Sequence, residues 1–346
     1  MAKAADIRTA GDDELTRLVD DIGRRSLDTR VGPRGLPEAF DDALWGTLEQ
    51  SGLTRLLTDQ GAGPVETAVV LGGLARYAAA VPIAETDLLA AWLASQANIE
   101  IPADGPMTVA IGYAEPVGGR LSGTAVDVPW PDAGAVLLAV LADDGTYVAK
   151  LVANARTDGH NLAGEPRAAL AFDLSTDDVV PLPRAIGEEL LRRGAWARCV
   201  QIVGAFDAAV ELTTAHTRER VQFGRSLHKF QAVQHSLAAL LGEVERSRAA
   251  TALAIAAAAD HGFDSARADY AVTVAKVAVG RAVGPVTTIA HQLHGAIGVT
   301  AEHRLWLATM RARSWADEFG STGRQARKLG RWALAADDPW DLVVGS

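Results

Sequence analysis

The chain has 346 residues, 49% of them hydrophobic and 22% charged, with a formal net charge of -10 at pH 7. That length points to two or three domains and enough interior for a large core. A balance of 33 basic against 43 acidic residues lacks the basic face that a nucleic-acid or membrane-surface protein needs, so neither partner is expected.

The N-terminal stretch Met1 to Ala10 is interrupted by Lys3, Asp6 and Arg8 and has no apolar signal core. No window reads as long and apolar enough to span a bilayer, and the expected location is cytoplasmic. Residues 1–105 read as helical. Asp12 and Asp13 cap a first helix with Leu15, Leu18, Val19 and Ile22 on one face. Pro37-Glu38 begins a second, with Phe40, Leu44, Leu48 and Leu53 inward, and Pro64 with Glu66 opens a third. Ile83 to Ala97 is a fourth, closed by the Asn98-to-Pro102 stretch.

Residues 106–182 change pattern and read as a small β domain. Thr108 to Tyr113, Ala135 to Leu141, Thr146 to Leu151 and Ala169 to Phe172 are strand candidates. Gly118-Gly119 marks a turn, and Asp143-Asp144-Gly145 signals a hairpin. From residue 183 to 346 the helical period returns. One long segment carries Val200, Val203 and Val210, and the single cysteine, Cys199, reads there as a small buried hydrophobe. Leu237, Leu240, Leu241 and Val244 mark a second helix. Tyr270 to Ala290 is a third, expected to break near Gly284-Pro285, and Leu305 to Trp315 and Ser321 to Ala335 follow. Long helices in up-down order make a bundle. The clusters Arg192-Arg193, Arg218-Arg220-Arg225 and Arg311-Arg313 read as solvated helix faces or as contacts for a phosphorylated ligand.

Two stretches carry the chemistry. The first is Arg218-Glu219-Arg220-Val221-Gln222-Phe223-Gly224-Arg225, running on to Gln231; the second is His291-Gln292-Leu293-His294-Gly295-Ala296-Ile297-Gly298, running on to His303. Together they resemble the flavin-binding signature of the acyl-CoA dehydrogenase family. The resemblance implies a mostly α fold with a small β domain: an N-terminal helical domain, a middle β barrel-like domain and a C-terminal four-helix bundle. It implies FAD as cofactor, an acyl-CoA thioester as substrate, and α,β-desaturation as the reaction. It places Arg220 on the pyrophosphate, with Gln222, Phe223 and Gln231 beside the cofactor and Gln292, Gly295, Ala296 and Gly298 against the adenosine and pyrophosphate. In this family these residues reach across a dimer interface to the flavin of a neighbouring subunit. Read without the resemblance, Arg220 is a surface cation and Gly295 and Gly298 are turn glycines.

The chain departs from the family pattern in two places. The family's Thr-Glu-Pro, Gly-Ser-Asp and Trp-Ile-Thr elements, which hold the flavin ring, become Ala114-Glu115-Pro116-Val117-Gly118-Gly119-Arg120, with Asp127 and Pro129 at the Trp and Thr places and Trp130 nearby. The usual catalytic glutamate falls on Phe319 counted from Gly298, or on Gly320 counted from Arg311; the earlier-helix alternative falls on Gly194. None is acidic. Asp317 and Glu318 are the neighbouring carboxylates, and Glu318 is the candidate base, or else part of a solvated helix end. His291, His294 and His303 lie inside the flavin motif without ligand spacing, and no metal is expected.

Three readings follow. The chain is the base-lacking subunit of a heteromer with a longer homologue, resembling the degenerate subunit of actinobacterial α2β2 dehydrogenases that act on sterol side chains or ring fragments. Alternatively it is a self-sufficient homodimeric or homotetrameric dehydrogenase using Glu318. Or it is a flavin-free scaffold of the same fold.

Overall fold

A computed structural model describes residues 10–30, 35–300 and 303–344; most of the Met1 to Ala10 stretch, and the Ala301-Glu302 end of the second motif, lie outside them. The chain divides into two compact units, Met1–Ala142 with Tyr147–Leu182, and Asp143–Thr146 with Pro183–Ser346.

The first unit opens with α1 (Ala10–Thr29), α2 (Asp42–Gln50), α3 (Pro64–Arg76) and α4 (Trp92–Ala97). α1 starts ahead of the two aspartates taken as its caps. α2 begins at Asp42 rather than at Pro37, because the Asp41 carboxylate accepts the Leu44 N–H at 3.0 Å. Leu44, Leu48 and Leu53 are buried as expected. At the start of α3, the Glu66 carboxylate reaches back to accept the Gly63 N–H at 2.8 Å, one half of a capping box. α1 and α3 meet closely at Gly73, where a Cβ would lie 2.5 Å from Val19 Cγ1. The fourth helix is not α-helical throughout: Ala84–Ala91 is a buried π-helical stretch that runs into α4. Asn98 then ends it at φ 51°.

Seven strands follow: β1 (Met107–Tyr113), β2 (Arg120–Pro129), β3 (Ala135–Leu141), β4 (Thr146–Lys150), β5 (Ala155–His160), β6 (Pro166–Ser175) and β7 (Val180–Leu182). They form one sheet in the order β1-β3-β4-β7 and another in the order β2-β6-β5. β1 and β3 are parallel, with Met107 opposite Ala135. Leu121, Leu138, Val140, Leu170 and Phe172 fill the core of this region. The Phe172 ring lies where side chains on Gly112 and Gly123 would go, at 2.6 and 2.8 Å from their would-be Cβ atoms. β2 and β5 escaped the sequence reading for physical reasons. β5 is exposed along its whole length, so no alternation marks it. β2 carries a bulge between Ala125 and Val128 that breaks its period of two.

The second unit holds α5 (Arg184–Glu219), a hairpin of β8 (Val221–Gln222) and β9 (Arg225–Ser226), α6 (Gln231–His261), α7 (Ala266–His294), α8 (Leu305–Trp315), α9 (Thr322–Ala335) and α10 (Pro339–Val344). α6 buries Leu240, Val244, Ser247, Thr251, Ala254 and Ala258, a seam of alternating four- and three-residue steps. α7 runs through Pro285 without the expected break; Ala282, Val283 and Val286 are buried on either side, and tertiary packing outweighs the lost hydrogen bond. One stretch, Ala266–Val299, is long and apolar enough to cross a membrane by length and composition, contrary to the expectation that no window is. Because 56% of its most apolar window is buried inside the protein, it reads as a core helix. Cys199 is buried, as expected. Arg311 is fully buried, whereas Arg313 is exposed, so only the second arginine of that pair lies on a solvated face.

Candidate functional site

The first motif is a turn hung on the end of α5. The Arg220 N–H donates to the His216 carbonyl at 2.9 Å, ending the helix, and the Arg220 carbonyl accepts from Leu227 N–H at 2.9 Å, closing the hairpin. Phe223 at φ 51° and Gly224 at φ 76° make its two-residue loop. Paired left-handed residues match the twist of the flanking strands, and the non-glycine pays a conformational penalty there. Phe223 is 92% exposed, its ring edge-on to Phe230 with centroids 6.2 Å apart. The Arg225 guanidinium stacks over Phe230 at 4.1 Å. Arg220, Gln222 and Gln231 are all exposed, Gln231 as the first residue of α6.

The second motif is the turn that ends α7. Gly295, at φ 68°, sends its N–H back to the His291 carbonyl, and a Cβ there would meet nothing within 4 Å. Gln292 and Ala296 are exposed beside it. Gly298 is different. It is buried, and a Cβ would lie 2.8 Å from His294 Cβ and 3.2 Å from Leu305 Cδ2. Its missing side chain admits the neighbouring turn of protein, which gives Gly298 a packing role.

Histidines join the two motifs. His216, one turn before Arg220, stacks on His294 with ring centroids 4.5 Å apart and planes inclined by 21°. His303 meets His294 edge-on at 4.7 Å and His216 at 6.5 Å. His294 Nδ1 lies 2.8 Å from the Ala290 carbonyl and its Nε2 is buried without a partner. Burial, reinforced by the other imidazoles, pushes His294 down to about 4. Burial also lowers His216, His303 and His291, with the neighbouring cations Arg220 and Arg313 contributing at His216 and His291 respectively. Among the described residues no group of three His, Cys, Asp or Glu is arranged to hold a metal ion. His216 was missed in the sequence because nothing in its neighbourhood marks it as a partner of a residue 78 positions later.

The base position lies between α5 and the segment after α8. Gly194 and Phe319, two of the three places where the family's glutamate was sought, face each other, and the Phe319 ring fills the space a Gly194 side chain would need. Phe319 takes φ 55° and Gly320 φ 112°. Glu318 Oε2 accepts from Arg198 Nε at 2.6 Å, and Arg198 is almost wholly buried, also bonding Gln201 at 2.6 Å. The Arg198 guanidinium sits 5.6 Å from the Phe319 ring centroid. The buried Lys276 ammonium donates to the Ala316 and Glu318 carbonyls at 2.9 and 2.7 Å, fixing the backbone of this segment. The candidate base Glu318 is thus held in an ion pair with a largely buried arginine.

The residues expected beside a flavin ring belong to the first unit. Asp127 occupies the β2 bulge at φ 54°. The Pro129 carbonyl accepts from the Thr108 hydroxyl at 2.7 Å. Trp130 is buried, edge-on to Phe40 with centroids 6.1 Å apart. Its ring is part of that unit's own core. The residues expected at the nucleotide are therefore exposed, Gly298 excepted, while core and bulge residues stand where the ring contacts were expected.

Comparison with known proteins identifies relatives of this chain. Residues 184–334 match the family described as acyl-CoA dehydrogenase, C-terminal domain. The chain is 28% identical over 300 residues to acyl-CoA dehydrogenase IpdE2 of Mycolicibacterium smegmatis, spanning 84% of this chain and 88% of that one. A chain of the ChsE4–ChsE5 complex from Mycobacterium tuberculosis superposes with a TM-score of 0.80 at 25% identity, over 95% of this chain and 98% of that one. A chain of the Tcur3481–Tcur3483 steroid ACAD superposes equally, TM-score 0.80 at 24% identity, over 94% and 98% of the two. With the fold shared along nearly the whole chain and the two motifs set at the ends of α5 and α7, residues 184–334 belong to the acyl-CoA dehydrogenase C-terminal domain family.

Proposed function

We propose that this chain is the base-lacking subunit of a heteromeric, FAD-dependent acyl-CoA dehydrogenase. A longer homologous chain supplies the carboxylate base and the flavin-ring pocket, and this chain supplies the nucleotide half-site. The observation that carries the reading is the contact of Phe319 with Gly194: neither position, nor Gly320 beside them, carries a carboxylate, and the Phe319 ring takes the space a side chain at 194 would need.

Bound FAD would supply a hydride acceptor for the β-hydrogen of an acyl-CoA thioester. The remaining work is the protein's. Arg220, exposed on a hairpin held at both its N–H and its carbonyl, offers a fixed cation to a pyrophosphate. Gly295 leaves its backbone open, as close approach of a phosphate or ribose requires. Gln292, Ala296, Gln222, Phe223 and Gln231 line exposed positions in the same two motifs and at the following helix start. These residues fit the nucleotide end of FAD; Asp127, Pro129 and Trp130 do not fit its ring end. The thioester α-proton needs a positioned base, whose loss costs roughly 10²–10⁴ in rate. Neither Phe319 nor an Arg198-bound Glu318 meets that need. The two-chain assemblies among the structural neighbours support the pairing.

The test is the visible spectrum and acyl-CoA-dependent dye reduction of the chain purified alone and co-purified with longer homologues. The proposal expects a colourless, inactive chain that gains stoichiometric flavin and activity only with a partner. A yellow, active homo-oligomer whose activity disappears in Glu318→Gln would overturn it in favour of the self-sufficient reading. A chain colourless with every partner would overturn it in favour of a flavin-free scaffold.

A further inference from the structure

The histidine stack lies where two separate pieces of the candidate nucleotide half-site are tied together, and no role has been given to it. His216 belongs to the last turn of α5, and its carbonyl receives the Arg220 N–H. His294 is the last residue of α7, between Gln292 and Gly295, and His303 leads into α8, its Nδ1 accepting the Leu305 N–H at 3.1 Å. Three helix ends thus converge on three imidazole rings whose centroids lie 4.5, 4.7 and 6.5 Å apart. We infer that His216, His294 and His303 form a proton-sensitive latch that holds the Arg220 hairpin against the Gln292–Gly295 turn while the rings are neutral and lets them part when the rings are charged. This rests on the reading of those two segments as a nucleotide half-site, but the latch itself is a property of the chain alone.

The physical argument is one of contact and desolvation. Neutral imidazoles stack at these distances; two imidazolium ions at 4.5 Å repel each other in a setting that water screens poorly. His294 is 5% exposed, and its buried Nε2 has no acceptor to receive a proton's charge. The titratable and charged groups facing the stack are Glu219 and Arg220 on α5, His291 on α7, and Arg313 on α8, which acts on His291. Of these only Glu219 favours a charged ring, at His216. The sign follows. The open form takes a proton at the ordinary value of 6.5, whereas closed His294 resists until about 4. Opening is therefore promoted as pH falls through 6.5 and levels off below about 4. At pH 5, His294 alone multiplies the opening equilibrium roughly thirtyfold relative to pH 7.5.

Hydrogen exchange of the whole chain, corrected for intrinsic rates, tests this at pH 7.5 and pH 5.0. The latch expects protection to fall at least tenfold at pH 5.0 in the amides of Arg220, Leu227 and Gly295, with those of the α6 seam unchanged. His216→Phe, which keeps an aromatic ring in the stack and cannot take a proton, should lessen that fall. Equal protection of the two segments at both pH values in the wild type would overturn the latch, whether or not the variant folds. Calorimetric titration with FAD, alone and in the presence of the partner chain, is read separately. Absence of binding at pH 7.5 counts against the half-site, while the exchange result still decides the latch.

Discussion

A side chain on Gly194 and the ring of Phe319 cannot occupy this fold together: the would-be Cβ of Gly194 lies 2.2 Å from Phe319 Cδ1 and 2.4 Å from Cε1. Real Cβ atoms do not approach so closely, and Phe319 is held from both sides, by a left-handed backbone and by the Arg198 guanidinium. The two positions are complementary halves of one packed contact. Gly194→Ala should therefore destabilise the chain by about 1–3 kcal/mol through overpacking. In a Phe319→Ala background the same change should cost under about 0.5 kcal/mol, because the space has been vacated. Urea midpoints of the four proteins of this cycle give the coupling directly. Additivity would mean that the ring moves aside freely, and the base position would then be open rather than filled.

The Arg198–Glu318 pair makes a second expectation. Arg198 is 2% exposed, so removing its partner charge leaves a guanidinium in a poor solvent. Glu318→Gln should lower stability by about 3 kcal/mol, read from urea denaturation, because one end of a largely buried pair is discharged. Activity per folded complex with a partner chain should stay within about twofold, since a base loss would instead cost roughly 10²-fold or more. A collapse of turnover at unchanged stability would reinstate Glu318 as a base.

The two motif glycines should separate under substitution. Gly298→Ala introduces a Cβ 2.8 Å from His294 Cβ and should cost about 2 kcal/mol, shifting the melting temperature without any ligand present. Gly295→Ala meets open space but a left-handed backbone, so its stability cost should be near 1 kcal/mol. Its larger effect should fall on FAD retention by the assembled complex, measured by the flavin-to-protein absorbance ratio. Equal stability costs with equal flavin loss would show that burial does not distinguish the two positions.

These positions also show how far the sequence reached. The order of helices, strands and helices was readable because apolar spacing switches cleanly from 3.6 to 2 and back. Arg220 and Gln292 were readable because a local motif carries them. The packing around Gly298 was not readable, because a glycine that admits protein and a glycine that admits a ligand leave the same letter. The Gly194–Phe319 contact was half legible: both positions were named as lacking an acid, but only the fold brings residues 125 apart in the chain face to face. β5 gave no pattern, since both its faces meet solvent, and His216 gave none because its partners are tertiary.

Lys276 provides a test of how the α8–α9 segment is held. Its ammonium is 1% exposed and donates to three backbone carbonyls, those of Trp315, Ala316 and Glu318, which α8 leaves unpaired as it ends. Burial lowers its proton affinity below the ordinary 10.5, with Cys199 and Glu318 partly opposing that shift. Over the range just below 10.5 the unfolded chain therefore binds this proton more tightly than the folded one, and stability gains as pH rises through that window. Lys276→Met removes both the donor and the titration. It should cost about 3 kcal/mol at pH 7, because carbonyls that the ammonium satisfied are left buried. It should also flatten the dependence of the urea midpoint on pH in the range just below 10.5 relative to the wild type. Retention of the wild-type slope in the variant would place the source of that slope at another group and leave Lys276 as no more than a packed side chain.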